Sequence, residues 1–179
     1  MASTRPIDIT LFGATGFAGR LVARHLYRRC RENSLTFAIA GRSRERLEAL
    51  AAELAAGAGV VIRVADAGDE EALAALAAES AVVISTVGPY LRYGTPLVAA
   101  CVDAGTDYAD LTGEVVWMRQ TIDRFHDLAR RSGSRIVHAC GFDSIPSDLG
   151  VLAALQSLPE RSGEPTPPRP ERPAAPPRT

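Results

Sequence analysis

The chain has 179 residues, 46% of them hydrophobic, which is enough for one globular domain with a buried core. A formal net charge of −1 argues against binding to nucleic acid, and the sequence has neither an integral membrane segment nor a signal-peptide core near its N-terminus. Its three widely spaced cysteines favour reduced thiols over a disulfide or zinc framework, so we expect a cytoplasmic protein with no metal site.

The first predicted elements surround a glycine-rich turn. An apolar run at 7–12 predicts a buried strand, and Leu21, Val22, Leu26 and Cys30 fall near one face of a predicted helix. Between them lie Gly13, Gly16 and Gly19 in a GxxGxxG pattern. Gly13 permits a tight turn, Gly16 lets a pyrophosphate approach the backbone, and Gly19 lets the helix pack closely on its strand. The pattern predicts dinucleotide binding, with a purely structural turn as the alternative.

All 20 basic residues are arginine, and the sequence contains no lysine. This excludes a P-loop, which needs a lysine on the phosphates. It also excludes the Tyr-x-x-x-Lys pair of short-chain dehydrogenases and epimerases, and Schiff-base chemistry on a lysine.

The second predicted strand, 37–40, is followed by Gly41, Arg42 and Ser43. NAD-specific folds usually place an acidic residue at this point to bind the ribose 2′-hydroxyl. A guanidinium and a hydroxyl suit a 2′-phosphate instead, so the sequence predicts NADP, bound by Arg42 and Ser43. In the alternative, Ser43 only caps the next helix and Arg42 is solvated.

A helix at 44–56 precedes the third strand, 60–64, which ends near Asp66. The Asp66 carboxylate can accept a hydrogen bond from the adenine amino group, or it can cap the following turn. A third helix is predicted at 69–78, and its first turn is acidic.

The fourth predicted strand, 81–87, runs into Gly88, Pro89 and Tyr90. In a doubly wound sheet its end borders the crevice that holds the nicotinamide half of the cofactor. Tyr90 and Tyr93 are candidates either for proton donation or for the wall of this pocket.

The remaining elements complete an α/β pattern. Thr95 and Pro96 predict the start of a fourth helix, as N-cap and first-turn proline. Strands at 108–110 and 135–139 alternate with further helices up to residue 158. We therefore predict a doubly wound, mostly parallel Rossmann sheet with helices on both faces over 1–158. Residues 159–179 hold eight of the 12 prolines and predict a disordered tail.

Five segments occur in an order that resembles the saccharopine-dehydrogenase-like oxidoreductases: GATGFAG, AGRSRERL, STVGPYLRYGTPLVAAC, YADLTGE and CGFDSIPSDLG. Within that group they most resemble the trans-acting enoyl reductases of actinobacterial lipid synthesis, over roughly 5–158. The resemblance implies the NADP-binding N-terminal domain of a reductase. It places Gly13, Thr15, Gly16 and Phe17 at the pyrophosphate, Arg42 and Ser43 at the 2′-phosphate, Asp66 near adenine, Gly88, Pro89 and Tyr90 near the nicotinamide, and 140–144 along the active crevice.

Within that crevice segment, Asp143 is the candidate general acid, because it is an ionisable side chain at the end of a strand. The alternative is a structural carboxylate that accepts hydrogen bonds from the amides of its own turn. Cys140 needs no catalytic role, since hydride transfer uses no nucleophile.

The family resemblance also implies a second, longer domain that binds substrate and usually mediates dimerisation. Here the family pattern ends near Leu158, so we expect a truncated form, with a homodimer only if a full-length form exists. The predicted activity is NADPH-dependent reduction of an activated C=C or C=N bond in a small, lipid-like substrate. The alternative is a non-catalytic NADP(H)-binding sensor or interaction module.

Overall fold

The computed structural model describes residues 5–55 and 59–158, where six strands alternate with six helices. All strand pairings are parallel, and the order across the sheet is β3-β2-β1-β4-β5-β6. This is the strand order of a doubly wound sheet, so the predicted fold is confirmed. The elements are β1 (Ile7–Phe12), α1 (Phe17–Glu32), β2 (Phe37–Gly41), α2 (Arg44–Ala55), β3 (Val60–Val64), α3 (Glu70–Glu79), β4 (Ser80–Ser85), α4 (Tyr90–Ala104), β5 (Asp107–Asp110), α5 (Val115–Ser132), β6 (Ile136–Val137) and α6 (Ile145–Ser157).

The helices cover both faces of the sheet because successive strand residues point to opposite sides. In β1, buried Leu11 joins a hydrophobic cluster with α1 and α2, whereas buried Phe12 joins a second cluster with α3, α4 and α5. In β2, Ile39 likewise joins the cluster with α1 and α2, and Ala40 joins the cluster with α3, α4 and α5. Strands buried on both faces are mostly apolar, which explains the apolar runs in the sequence, and the buried hydroxyls of Thr10 and Ser80 are hydrogen-bonded to each other at 2.6 Å.

The fourth helix begins earlier than its sequence predicts. It starts at Tyr90, and Pro96 lies inside it, so the predicted start at Thr95 and Pro96 is wrong. The reason is a distant side chain: the carboxylate of Glu114 accepts a hydrogen bond from the Tyr90 amide at 2.6 Å. A cap supplied by another segment leaves no mark in the local sequence.

Helix α6 packs least of the six helices. None of its residues is buried, and Leu149, Leu152 and Leu155 are exposed. The predicted proline-rich tail, 159–179, lies outside the described residues.

Among the helices of residues 5–55 and 59–158, none combines the length and the apolar character that crossing a bilayer requires.

Candidate functional site: a dinucleotide groove

A groove of about 370 Å³ lies at the carboxyl ends of the strands. Its centre is the junction of β1 and β4, where the chain reverses its direction across the sheet and the helices pass to opposite faces. Ligands of open α/β sheets bind at this junction. The lining residues are Phe12, Gly13, Thr15, Gly16, Gly41, Arg42, Ala65, Asp66, Ala67, Thr86, Val87, Gly88 and Tyr93.

The β1–α1 turn forms the floor of the groove. Gly13 has φ +86°, a left-handed conformation that favours glycine, and its amide donates to Ala40 O at 2.9 Å. Gly16 is the N-cap of α1, and neither a capping side chain nor an acidic residue occupies the first turn. The positive end of α1 therefore faces the groove and suits a pyrophosphate.

The start of α1 packs directly on this turn. A Cβ added at Gly19 would lie 2.1 Å from Gly13 O and 2.9 Å from Gly13 C, so only glycine fits. On the other side of the turn, the Thr86 hydroxyl after β4 lies 3.1 Å from Gly13 O and 3.2 Å from Phe12 O, within reach to donate to either. The predicted role of Gly19 in helix–strand packing agrees with this geometry.

Arg42 and Asp66 mark one end of the groove, after β2 and β3. Among the described residues Arg42 has no ion-pair or hydrogen-bond partner, and its side chain is exposed. Asp66 Oδ1 accepts from Gly68 N at 2.9 Å, which leaves Oδ2 for a ligand. Ser43 does not line the groove, and its hydroxyl lies 3.4 Å from Arg46 N, in the position of a helix cap. This end offers a cation and a carboxylate oxygen.

The opposite end of the groove is formed by Thr86, Val87, Gly88 and Tyr93. Tyr93 is one of the two tyrosines that the sequence predicts at this end. The Arg92 guanidinium lies over its ring, 5.0 Å from the ring centroid. Apolar and aromatic walls at this end suit a flat ring.

The other tyrosine, Tyr90, turns away from the groove. Its side chain is buried against Trp117, with ring centroids 5.3 Å apart, and its hydroxyl donates to Ser85 O at 3.0 Å. Burial raises the pKa of this hydroxyl well above its ordinary value, so it stays protonated. The structure also leaves Pro89 and the exposed Phe17 side chain outside the groove lining.

Asp143 lies on the turn between β6 and α6, outside the groove lining. Its side chain is exposed, and its Oδ1 lies near Gly141, where an added Cβ would approach it to 2.7 Å. Within the described part of the chain the carboxylate accepts no hydrogen bond from the turn amides. Its role as a general acid remains a prediction.

Sequence reasoning missed a buried pair beside this turn. Asp110 is fully buried, and its Oδ1 accepts from Thr112 N and Ala139 N, each at 3.1 Å. Its Oδ2 lies 2.7 Å from His138 Nδ1, and His138 Nε2 lies 3.0 Å from Thr121 Oγ1. The sequence signal for this pair is an aspartate at a strand position that points into the protein. A buried charge requires partners, so such a residue predicts a hydrogen-bonded pair. The pair fixes the start of the Asp143 turn.

Of the three cysteines, only Cys140 is exposed. Partial burial, with a smaller contribution from Asp110, raises the pKa of its thiol. We expect one thiol to react with a disulfide reagent in the native protein and three after denaturation, which absorbance of the released thiolate measures. Because less thiolate is present, the native reaction at pH 8 should be slower than that of free cysteine. Faster modification would contradict the inert role given to Cys140.

With this geometry established, comparison with known proteins decides the family. A family model described as the saccharopine dehydrogenase NADP-binding domain matches residues 9–137. The chain belongs to this family. The match confirms the resemblance drawn from the sequence motifs, and it makes the chain an NADP-binding domain. The whole groove lining lies within the matched range, whereas Asp143 lies beyond it.

Relatives of this saccharopine dehydrogenase-type domain include mycobacterial enoyl reductases. One relative is a Mycobacterium tuberculosis protein that carries the name of a trans-acting enoyl reductase. It is 52% identical to this chain over 160 residues. The trans-acting enoyl reductase of Mycobacterium leprae is 51% identical over 162 residues. Each alignment covers 89% of this chain and 38% of the relative. The chain thus spans well under half the length of the relatives that it matches.

Solved structures agree on the fold. Saccharopine dehydrogenase (L-Glu forming) of Saccharomyces cerevisiae aligns with a TM-score of 0.67 at 20% identity, covering 84% of this chain and 31% of that one. The triphenylmethane reductase of Citrobacter sp., solved with NADP(H), aligns with a TM-score of 0.55 at 21% identity. That alignment covers 73% of this chain and 48% of the reductase. At such identities the likeness establishes the Rossmann-type architecture alone.

Proposed function

We propose that this saccharopine dehydrogenase-type domain is the cofactor-binding part of an NADPH-dependent reductase acting on an activated C=C bond of a lipid-like substrate. The observation that carries the proposal is that the α1 N-terminus, which no side chain caps, and Arg42, which has no partner among residues 5–55 and 59–158, line one groove. The domain family and the names of the mycobacterial relatives support the reductase assignment. Substrate binding is assigned to the part of those relatives that this chain does not span.

The residues of the groove fit the cofactor in one orientation. The α1 N-terminus after Gly16 receives the pyrophosphate, and Arg42 receives the 2′-phosphate. Asp66 accepts from the adenine amino group, and the nicotinamide lies beside Val87 and Gly88. When bound there, NADPH supplies the hydride. Reduction of a C=C bond also needs a proton on the neighbouring carbon, and Asp143 is the proposed donor.

A second candidate is an NADP(H)-binding module without catalysis. It is favoured by the position of Asp143, the proposed proton donor, outside the groove lining. In either case we propose a domain unit of 1–158 and a cytoplasmic location. We propose homodimerisation only for a longer form of the protein. Steady-state NADPH oxidation with enoyl-thioester substrates separates the candidates, because a module binds the cofactor tightly without turnover.

The shared premise is tested by titrating the purified chain with NADPH and NADH, following nicotinamide fluorescence or heat. We expect saturable binding of NADPH with a clear preference over NADH. A folded protein with no affinity for either nucleotide would refute both candidates.

Arg42→Asp should reverse this preference. Removing the guanidinium and adding a carboxylate costs charge-assisted hydrogen bonds to the 2′-phosphate, about 1.5–3 kcal/mol, so NADPH affinity should fall by about 10- to 100-fold. NADH affinity should stay within about twofold, because NADH has no 2′-phosphate. The control is Arg131→Asp, the same charge change at an exposed position on α5. Equal losses for the two cofactors would remove Arg42 from the 2′-phosphate site.

A further inference from the structure

The N-terminus of α4 has no cap from its own segment. Its N-cap is Pro89, which offers no side-chain hydrogen bond, and no acidic residue lies in its first turn. The carboxylate of Glu114, 24 residues away along the chain, closes it instead. Oε1 accepts from Tyr90 N at 2.6 Å and Oε2 from Leu91 N at 2.9 Å, so both oxygens are used. A carboxylate at this end of a helix also complements the positive dipole.

The effect of this cap on ligand binding follows from a comparison of the N-termini of α1 and α4. Helices α1 and α4 follow the adjacent strands β1 and β4, so both begin at the carboxyl edge of the sheet beside the groove. The α1 N-terminus after Gly16 is left open, whereas Glu114 occupies the donors of α4. Of the helix ends that follow β1 and β4, an anion entering the groove therefore finds only that of α1 open, which is the one that the pyrophosphate needs.

Glu114 is itself held in place by the end of β5. Its amide donates to Thr112 Oγ1 at 3.1 Å, and Thr112 N donates to Asp110 Oδ1 at 3.1 Å. Asp110 is fully buried and paired with His138. The backbone of Glu114 is thus held at the end of β5, and its carboxylate in turn holds the first turn of α4.

We propose that Glu114 is a positioning residue for the nicotinamide half of the cofactor. By anchoring Tyr90 N and Leu91 N, it holds the preceding segment, in which Val87 and Gly88 line the groove. By occupying those amides, it also keeps the phosphates at α1. The inference rests on the proposed NADP(H) binding, and it assigns Glu114 no contact with the cofactor.

The test compares a whole cofactor with a fragment. NADPH reaches both ends of the groove, whereas 2′,5′-ADP carries only the adenosine half with its 5′-phosphate and stops short of the nicotinamide end at Val87 and Gly88. For Glu114→Gln and Glu114→Ala we expect NADPH to bind about tenfold more weakly, because the wall beside the nicotinamide is no longer held in place, and 2′,5′-ADP to stay within about twofold. The fluorescence of bound nicotinamide should shift toward that of free NADPH, and amide hydrogens at 90 and 91 should exchange faster.

The matched control is Asp107→Asn. Asp107 also accepts from a backbone amide, Arg135 N at 2.8 Å, and pairs with the Arg135 guanidinium, but it lies at the opposite end of β5 from the groove. This variant should leave both affinities unchanged. If the Glu114 variants weaken NADPH and 2′,5′-ADP equally, or weaken neither, the positioning role is overturned. Wild-type protein that binds neither ligand would instead overturn the proposed function, so the two failures are distinguishable. Glu114→Gln keeps one acceptor and serves if Glu114→Ala does not fold.

Discussion

Gly19→Ala should abolish measurable NADPH binding, with a loss of affinity greater than about 100-fold. The added Cβ would lie 2.1 Å from Gly13 O and 3.0 Å from Ala14 C. These are backbone atoms of the turn that forms the groove floor, so no rotamer change relieves the overlap. The N-terminus of α1 must move away from the pyrophosphate position, and overpacking should also cost about 1–3 kcal/mol of unfolding free energy. Calorimetric titration and urea unfolding measure the two effects.

The matched control is Gly150→Ala, another glycine inside a helix. No heavy atom lies within 4 Å of a Cβ at Gly150, so the substitution meets no obstacle. Alanine is the better helix former by about 0.8–1 kcal/mol, so this variant should be slightly more stable and bind NADPH normally. If Gly19→Ala binds NADPH as Gly150→Ala does, the groove floor does not depend on close packing of α1, and the pyrophosphate assignment fails.

Most of the architecture could be predicted from local patterns. The apolar run at 7–12 matches β1 at both ends, and the run at 60–64 matches β3. A strand buried on both faces by helices is mostly apolar, so burial leaves a direct mark in the sequence. The glycines of the β1–α1 turn are equally visible, because Gly13 needs a positive φ and Gly19 a close approach.

What the sequence did not show depends on contacts between distant segments. The start of α4 is set by Glu114, which replaces the local cap that Thr95 and Pro96 suggested. Because the helix begins at Tyr90, that side chain packs on Trp117 instead of facing the groove. Side-chain direction at a helix start follows from the packing of the helix, and the local sequence does not encode it.

The groove residues also divide into those that the sequence predicts and those whose position depends on contacts between distant segments. Arg42 directly follows β2, and Asp66 lies two residues after β3. The carboxyl ends of parallel strands meet at one edge, so topology alone brings the two residues together. Ser43 is one residue further along and already belongs to the start of α2. Asp110 and His138 escaped notice because their pairing joins two strands, β5 and the short β6 region, across 28 residues.

Asp110→Ala should destabilise the domain by about 3–5 kcal/mol, because each buried group that loses its hydrogen-bond partner costs about 1–3 kcal/mol. The substitution removes the acceptor of Thr112 N and Ala139 N and leaves His138 Nδ1 without its partner. The turn that carries Asp143 begins at these residues, so it should lose its fixed position. Urea unfolding measures the loss of stability, and hydrogen exchange at 139–144 measures the loss of order.

The control is Asp123→Ala, which removes a carboxylate from an ion pair on the surface of α5. Asp123 pairs with Arg119 one helical turn away, and 63% of its side chain is exposed, against 0% for Asp110. Exposed pairs at this spacing contribute about 0.3–0.5 kcal/mol, so the two variants should differ about tenfold in cost. If the two variants lost equal amounts of unfolding free energy, Asp110 would not hold the turn. The fixed position of the Asp143 segment would then have to come from its packing against α6. Since none of α6 is buried, that source is weak, and the buried carboxylate is left as the anchor of the crevice.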